Sequence, residues 1–148
     1  MIRDAVPADV ASLRALFRRS SLSNAGDRAN LLAHPDALEL SDVAVTEGRT
    51  RVVTDIDGQI VGFVTVAPEP GLVELEDLFV DPEWMRRGIG RQLVLDAVAS
   101  ARRAGITRLE VTANHHASAF YRDVGFVLDH EVETRFGPAP RMCLVVAP

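Results

Sequence analysis

Hydrophobic and polar positions along this chain follow two periods, and the switches between them outline the elements. Residues 1–6 read as a short strand. Pro7-Ala8-Asp9 then opens a helix with Asp9 as its N-cap, and Val10, Leu13, Leu16 and Phe17 share one face. Residues 20–48 keep no single period; Gly26 and Pro35 predict short helices broken at those two positions. The stretch RVVTDIDGQIVGFVTVAP, 51–68, predicts two strands joined at Asp57-Gly58, because a type I′ hairpin turn needs positive φ. GLVELEDLFVD, 71–81, is a third strand. A long helix follows over 88–104, with Ile89, Leu93, Ala97 and Ala101 on one stripe, Val94 and Val98 beside them, and Gly105 as its stop. TRLEVTA (107–113) is a strand and HASAFYRDV (116–124) a short helix ended by Gly125. FVLDHEVET (126–134) and RMCLVVA (141–147) are two last strands joined by RFGPAP.

The strand at 71–81 has an irregular phase. Val73 and Leu75 are apolar at odd positions, Leu78 and Val80 at even ones. A period of two cannot slip without an extra residue, so a β-bulge is predicted at Glu76-Asp77. The alternative is that Phe79 faces a second core layer. Without repeat, linker or low-complexity tract, the simplest organisation is one α+β domain over 1–148.

Composition narrows the function classes. Hydrophobic residues make up 47% of 148, enough for a real core. No apolar run approaches the roughly 20 residues of a membrane helix, and the opening MIRDAVPAD does not read as a signal peptide. Cys143 is the only cysteine, which excludes an intrachain disulfide and fits a cytoplasmic location. The net charge of −5 argues against broad nucleic-acid or membrane binding and favours an amine substrate. All 16 basic residues are arginine, so Schiff-base chemistry and a Walker-type phosphate lysine are excluded.

MRRGIG, 85–90, is the first segment with candidate chemistry. It lies where the third strand hands over to the long helix. The first turn of a helix presents unpaired N–H groups, and glycines let an anion approach them. Arg86, Arg87 and Arg91 add positive charge around Gly88, Ile89 and Gly90. This is the construction of a pyrophosphate site; the bland alternative is a glycine-softened turn with solvated arginines. It is not a Rossmann fingerprint, because Leu93 stands where the third glycine belongs.

NHHASAFYRDVGF, 114–126, has the form N-x-x-A-x-x-F-Y-x-x-x-G-F. Together with MRRGIG it resembles the GNAT superfamily of acetyl-CoA-dependent N-acetyltransferases. The signature there is Q/R-x-x-G-x-G/A at the start of the long helix, followed by the Asn-to-Phe motif. The resemblance covers the whole chain: IRDAVPADVASL is similar to the family's first strand and helix, and the hairpin and third strand fall in the expected order. Met85 departs from the pattern, standing where Gln or Arg is usual. The implied fold is a mixed, mostly antiparallel sheet flanked by helices, with a bulged central strand.

The resemblance also implies roles. Backbone groups of Leu78, Phe79 and Val80 would pair with the pantetheine arm, and amides from Arg87 through Arg91 would hold the pyrophosphate. Asn114 would bond the pantetheine or steady the second loop. Ala117 and Phe120 would pack on the cofactor, and Tyr121 would reach its sulfur. An attacking amine must be neutral, and an alkylamine like lysine has a pKa of about 10.4, so a base or water chain must take its proton. Glu76 is the first candidate, Glu74 the second and Asp77 the third. The Tyr121 hydroxyl suits protonation of the leaving thiolate; its bland role is an amphipathic core residue.

Other candidates carry less. His115 and His116 lack the cysteine or carboxylate companions of a metal site, and no metal is expected. His34 and His130 read as surface or half-buried, and Cys143 as a small buried hydrophobe. The alternative from another class is a non-catalytic acyl-CoA-binding or regulatory module of the same fold. A tRNA-acetylating toxin is opposed by the negative charge. The acceptor, a small-molecule or peptide amine, would be set by residues 20–48, the hairpin and the final strands. The resemblance also allows a homodimer through the late strands.

Overall fold

The computed structural model describes residues 1–147; Pro148, the last residue of the expected 1–148 domain, lies outside the described residues. The chain runs β1 (Ile2–Asp4), a 3-10 turn (Pro7–Asp9), α1 (Val10–Leu22), α2 (Ala25–Ala33), a 3-10 turn (Pro35–Leu38), α3 (Val43–Thr46), β2 (Thr50–Thr54), β3 (Ile60–Glu69) and β4 (Leu72–Val80). It continues through a 3-10 turn (Pro82–Trp84), α4 (Ile89–Arg103), β5 (Arg108–Thr112), α5 (Ser118–Val124), β6 (Val127–Thr134) and β7 (Gly137–Val145). The seven strands form one sheet in the order β1-β2-β3-β4-β5-β7-β6. The described pairings are antiparallel except β4 with β5, which is parallel. The fold is thus the α+β class with a mostly antiparallel sheet and accompanying helices. Among the described residues no helix is long and apolar enough to cross a membrane.

Two compact units interleave along the chain: Met1–Thr65 with Asp77–Leu93, and Val66–Glu76 with the residues from Val94 onward. The first unit's core gathers Leu13, Leu16 and Phe17 from α1 with Val52 and Phe63 from β2 and β3. Phe79 packs against it, its ring 4.9 Å from that of Phe17 and 5.7 Å from that of Phe63.

The start of α1 differs from expectation. Asp9 makes no side-chain bond to the helix amides that follow it. Its Oδ2 instead accepts the N–H of Val6 at 2.8 Å and the Arg3 Nη1 at 2.7 Å. The cause is the 3-10 turn at Pro7, which moves the N-cap three residues back to Val6, so that the carboxylate closes a capping box from inside the helical run. The Arg3 hydrogen bond foremost, with the Val6 amide after it, holds Asp9 below the usual carboxylate range despite the opposing effect of burial.

Two turns also depart from the pattern. The break between α1 and α2 falls at Ser23-Asn24 and not at Gly26, which lies in the first turn of α2. Asn24 is extended (φ −87°, ψ 107°) and its carbonyl accepts the amides of Asp27 and Arg28, so the chain turns there. The β2–β3 hairpin forms as predicted but without a type I′ turn, because of its two central residues only Gly58 has positive φ (82°). Asp55 supplies the difference: its Oδ1 accepts the N–H groups of Asp57 and Gln59, both at 2.9 Å, and builds a wider loop. Past the hairpin, the β2·β3 register shifts at Val53/Thr54, leaving Val61 without an opposite number. The Val61 carbonyl accepts the N–H of Asp81 at 2.8 Å.

In the second unit β4 and β5 align Val73 with Leu109 and Leu75 with Val111, all four buried. The alternation on β4 stops at exposed Glu76, and Asp77 through Val80 are all partly exposed. The described β4·β5 ladder ends at Leu75, one residue before the predicted bulge, and the described register shifts lie on other strands. One of them is in β6, where Asp129 is the extra residue between Leu128↔Met142 and His130↔Arg141. Strand β7 starts at Gly137, four residues ahead of the predicted start at Arg141. Pro138 and Pro140 made that stretch read as a link. They are tolerated because the described β5 ladder ends at Thr112↔Arg141; beyond it Pro140 takes part only through its carbonyl, which accepts the Ala113 N–H at 2.9 Å.

Helix α4 begins on a close approach. A Cβ at Gly62 of β3 would meet Ile89 Cγ2 at 2.9 Å, the Phe79 carbonyl oxygen at 3.2 Å and Leu93 Cδ1 at 3.3 Å. The first turns of α4 therefore rest on bare backbone. At the other end the Gly105 (φ 73°) N–H bonds the Arg102 carbonyl at 3.0 Å, as its stop role predicts. Gly62→Val should lower unfolding free energy by about 1–3 kcal/mol, the usual cost of overpacking a filled site. Urea titration would measure it, and an unchanged midpoint would show that the first turns of α4 move without cost.

Candidate cofactor site

The first unit fixes the loop that leads into α4 by holding the end of β4. Asp81 Oδ2 accepts Arg19 Nη2 of α1 at 2.8 Å, its Oδ1 accepts the Glu83 N–H at 3.0 Å, and its carbonyl accepts the Trp84 N–H at 2.8 Å. The backbone then reverses sharply. Met85 is extended, Arg86 has φ 63° and Gly88 φ 79°. Among the described residues Arg86 is the only non-glycine with positive φ. Such a conformation costs of order 1–3 kcal/mol in a non-glycine residue and recurs where a loop must present its groups in one way. Left-handed residues in a short loop turn amides to a common side, a concavity suited to anions.

The helical ladder begins only at Gln92, whose N–H donates to the Gly88 carbonyl at 3.0 Å. The amides of Ile89, Gly90 and Arg91 precede it, at the positive end of a 15-residue helix. Ile89 is buried and anchors the turn, while Arg86, Arg87, Gly88 and Arg91 are exposed. The Arg87 guanidinium lies 4.6 Å over the Trp84 ring, which restrains one of the cations. Met85 is 51% exposed and fills no core position. Bare approach, amides ahead of the helical ladder and local cations together fit a pyrophosphate. Leu78, Phe79 and Val80, the expected pantetheine partners, are the partly exposed last residues of β4.

The second unit holds the other motif. Asn114 Oδ1 accepts the Ala117 N–H at 2.9 Å, so this side chain steadies the loop ahead of α5, one of its two expected roles. Ala117 and Phe120 are partly exposed. Tyr121 is 5% exposed, its ring 5.1 Å from that of Phe120 and 5.3 Å from that of Phe126. Gly125 closes α5 in the left-handed conformation (φ 116°), and the Phe126 N–H returns to the Tyr121 carbonyl at 2.9 Å. The tyrosine is thereby held at both backbone ends of a single helical turn. His115 and His116 are exposed, and among the described residues no group of three His, Cys, Asp or Glu could hold a metal ion.

The carboxylates of β4 differ from one another. Glu76 is exposed, whereas Glu74 accepts Arg141 Nη1 at 2.7 Å. Arg141 also donates through Nε to Glu110 at 3.1 Å, and Arg108 donates to the same carboxylate at 2.7 Å. Arg108 first, and then Arg141, hold Glu110 below the usual carboxylate range against the effect of burial. Sequence reasoning missed this network, the Arg19–Asp81 tie and the Gly62 contact. The legible signal was the charged pair Arg108 and Glu110 at alternate positions of one strand, with Arg141 opening the next apolar run.

Comparison with known proteins agrees with this geometry. The chain is 31% identical to the uncharacterised N-acetyltransferase YhbS of Escherichia coli (strain K12), over 92% of this chain and 80% of that protein. It is 32% identical to the uncharacterised N-acetyltransferase YjgM of the same strain, over 68% of this chain and 64% of that protein. The match therefore spans under two thirds of the length of YjgM. Among solved structures, PaiA N-acetyltransferase from Thermoplasma acidophilum in complex with coenzyme A superposes with a TM-score of 0.79 at 18% identity, covering 98% of each chain. That likeness shows the fold. The model of the Acetyltransferase (GNAT) family matches residues 12–126, and the chain belongs to this family.

Proposed function

We propose that this chain is a single acetyl-CoA-dependent N-acetyltransferase domain that transfers an acetyl group to a primary amine in a ternary complex. The observation that carries the reading is the loop at 86–91, with left-handed Arg86 and Gly88 ahead of helix amides that have no place in the ladder. The family match and the coenzyme A held by the PaiA structure support the choice of ligand.

Acetyl-CoA supplies an activated thioester, and the chain's own residues would do the rest. The amides of Arg87, Gly88, Ile89, Gly90 and Arg91 hold the pyrophosphate, with the side chains of Arg86, Arg87 and Arg91 neutralising it. Backbone groups of Leu78, Phe79 and Val80 take the pantetheine arm as an added strand, and a free N–H there receives the charge that grows on the carbonyl oxygen. Ala117 and Phe120 pack on the cofactor while Asn114 keeps their loop closed. Glu76, alone or through a water, takes the proton from the acceptor ammonium; Glu74 and Asp77 stand behind it. The new C–N bond forms, the nitrogen sheds its second proton to water, the C–S bond breaks, and Tyr121 gives its hydroxyl proton to the departing thiolate. Solvent then returns a proton to Tyr121. The acceptor is a small-molecule or peptide amine, favoured by the net charge of −5. With one cysteine and no long apolar run, we place the reaction in the cytoplasm.

Thiol release measured across a panel of amines, with mass detection of the product, tests the function. Steady release with an acetylated amine is expected; tight acetyl-CoA binding with no turnover would instead support the binding-module reading.

Substitutions divide binding from chemistry. Gly90→Glu puts a side chain and a negative charge at the pyrophosphate position, and calorimetry on the folded variant should show no acetyl-CoA binding. Met85→Gln should leave affinity equal or tighter, because the exposed methionine is not a packing residue; a clear loss would shift the register of the motif. Tyr121→Phe should lower turnover about 10²–10⁴-fold, the range for a lost general acid, with little change in acetyl-CoA affinity. Near-full turnover would remove the assignment. Glu76→Gln should cost most at low pH and recover as pH rises, because free amine then appears without a base. The tyrosine variant should show no such recovery.

A further inference from the structure

The loop at 85–88 is held from its first end by a residue that takes no part in the reaction. Arg19 lies in the last turn of α1, and its Nη2 donates to Asp81 Oδ2 at 2.8 Å, across 62 positions of sequence. Asp81 is the more buried member of the pair, its side chain 15% exposed against 52% for Arg19. The ion pair fixes the orientation of the carboxylate. Its other oxygen then accepts the Glu83 N–H at 3.0 Å and caps the 3-10 turn Pro82–Trp84. The backbone of Asp81 is held as well: its N–H donates to the Val61 carbonyl and its carbonyl accepts the Trp84 N–H, both at 2.8 Å. The turn delivers Trp84, whose ring carries the Arg87 guanidinium 4.6 Å from its centre. Arg19, Asp81, Trp84 and Arg87 thus form a chain of contacts from α1 to a cation of the pyrophosphate loop, all inside the first unit.

Strain gives that chain its consequence. Arg86 has φ 63°, a conformation unfavourable for any residue with a Cβ. The loop keeps it only while both ends are held. Ile89, seated on Gly62, holds the far end, and Asp81 holds the near one. Once the near end loosens, Arg86 relaxes and the amides from Arg87 onward lose their common direction. A ligand must then restore the loop before it binds, and its apparent affinity falls with the fraction of loop already in place.

Resting on the cofactor-loop part of the reading above, we infer that Arg19 is a positioning residue for coenzyme A. Acting through Asp81, it holds the 86–91 loop in the form that takes the pyrophosphate. Arg19 itself makes no contact with the cofactor; its charge acts on Asp81 and not on the phosphates.

Calorimetric titration with coenzyme A, together with the fluorescence of Trp84, the chain's single tryptophan, tests this on the full chain. Arg19→Gln should weaken coenzyme A binding about two- to five-fold, the scale of a partly exposed ion pair. Asp81→Asn removes the opposite charge but keeps an oxygen for the Glu83 N–H, and it should weaken binding by a similar factor. The sign of that second result separates positioning from attraction at a distance. If Arg19 merely drew the phosphates by its charge, removing a carboxylate would tighten binding. The double variant Arg19→Gln/Asp81→Asn should bind no more weakly than either single one, because the same tie is lost in all three. Arg19→Lys, which keeps the cation, should return most of the affinity. Without ligand, Trp84 emission should change in Arg19→Gln and in Asp81→Asn and become easier to quench with acrylamide. With a working acceptor, Arg19→Gln should raise KM for acetyl-CoA and hold kcat. Equal affinity in Arg19→Gln and the unaltered chain, tighter binding by Asp81→Asn, or Trp84 emission unmoved in both variants overturns the inference while the transferase reading stands. So does a loss in Arg19→Lys equal to that in Arg19→Gln. Coenzyme A binding that shows these changes, with no acetylation of any amine, supports the inference while overturning the transferase reading. An unaltered chain that binds no coenzyme A overturns both.

Discussion

Helix α4 can rest its first two turns directly on β3 because position 62 has no side chain. That contact decides where the N-terminus of the helix points, and the amides ahead of the ladder are useful only if they point at a ligand. Ile89 and Leu93 reach the Gly62 backbone while Gly88, immediately before Ile89, stays exposed. The strain at Arg86 follows from the same constraint. β4 ends where Asp81 is tied to Arg19 and Val61, and α4 begins where Gly62 seats Ile89. A short loop must connect two fixed ends, and it does so through left-handed backbone at a residue that is not glycine. Packing thus holds in place a conformation that the isolated loop would abandon.

Charge is arranged with equal economy. Arginine supplies every cation, and its planar fork lets one side chain hold two carboxylates in register. Arg141 does this across β4, β5 and β7, and Arg108 extends the chain to Asp129 of the β6 bulge. In the first unit, Arg3 and Arg19 fix single carboxylates at strand or helix ends instead. As a result Asp9, Asp81, Glu74 and Glu110 are each held by an arginine. The same residue type thus braces the fold and, at 86, 87 and 91, offers charge to a ligand.

The sequence made the element order legible because most elements carry one clear period. α4 could be read almost to the residue, since its apolar stripe, its opening glycine and Gly105 agree. The paired motifs at 85–90 and 114–126 led to the family. Errors arose where a local signal competed with a tertiary one. Gly26 looked like a break, but the turn belongs to Asn24, whose backbone is extended. Pro138 and Pro140 looked like a linker, but they sit in β7 beyond the end of its β5 ladder. Asp57-Gly58 marked the hairpin correctly, while Asp55 two residues earlier set the turn geometry. What lay outside the sequence was contact between distant segments. Nothing local marks Gly62 as the seat of Ile89, or Arg141 as the partner of Glu74, 67 positions away.

The central claim is that the loop amides at 87–91 are the anion site on which cofactor binding depends. Two-dimensional amide NMR during titration with coenzyme A reads those groups one by one. The largest shifts should fall on the N–H signals of Arg87, Gly88, Ile89, Gly90 and Arg91, and pyrophosphate alone should move the same signals in the same direction at higher concentration. Saturable binding of coenzyme A that leaves these five amides unmoved would contradict the account.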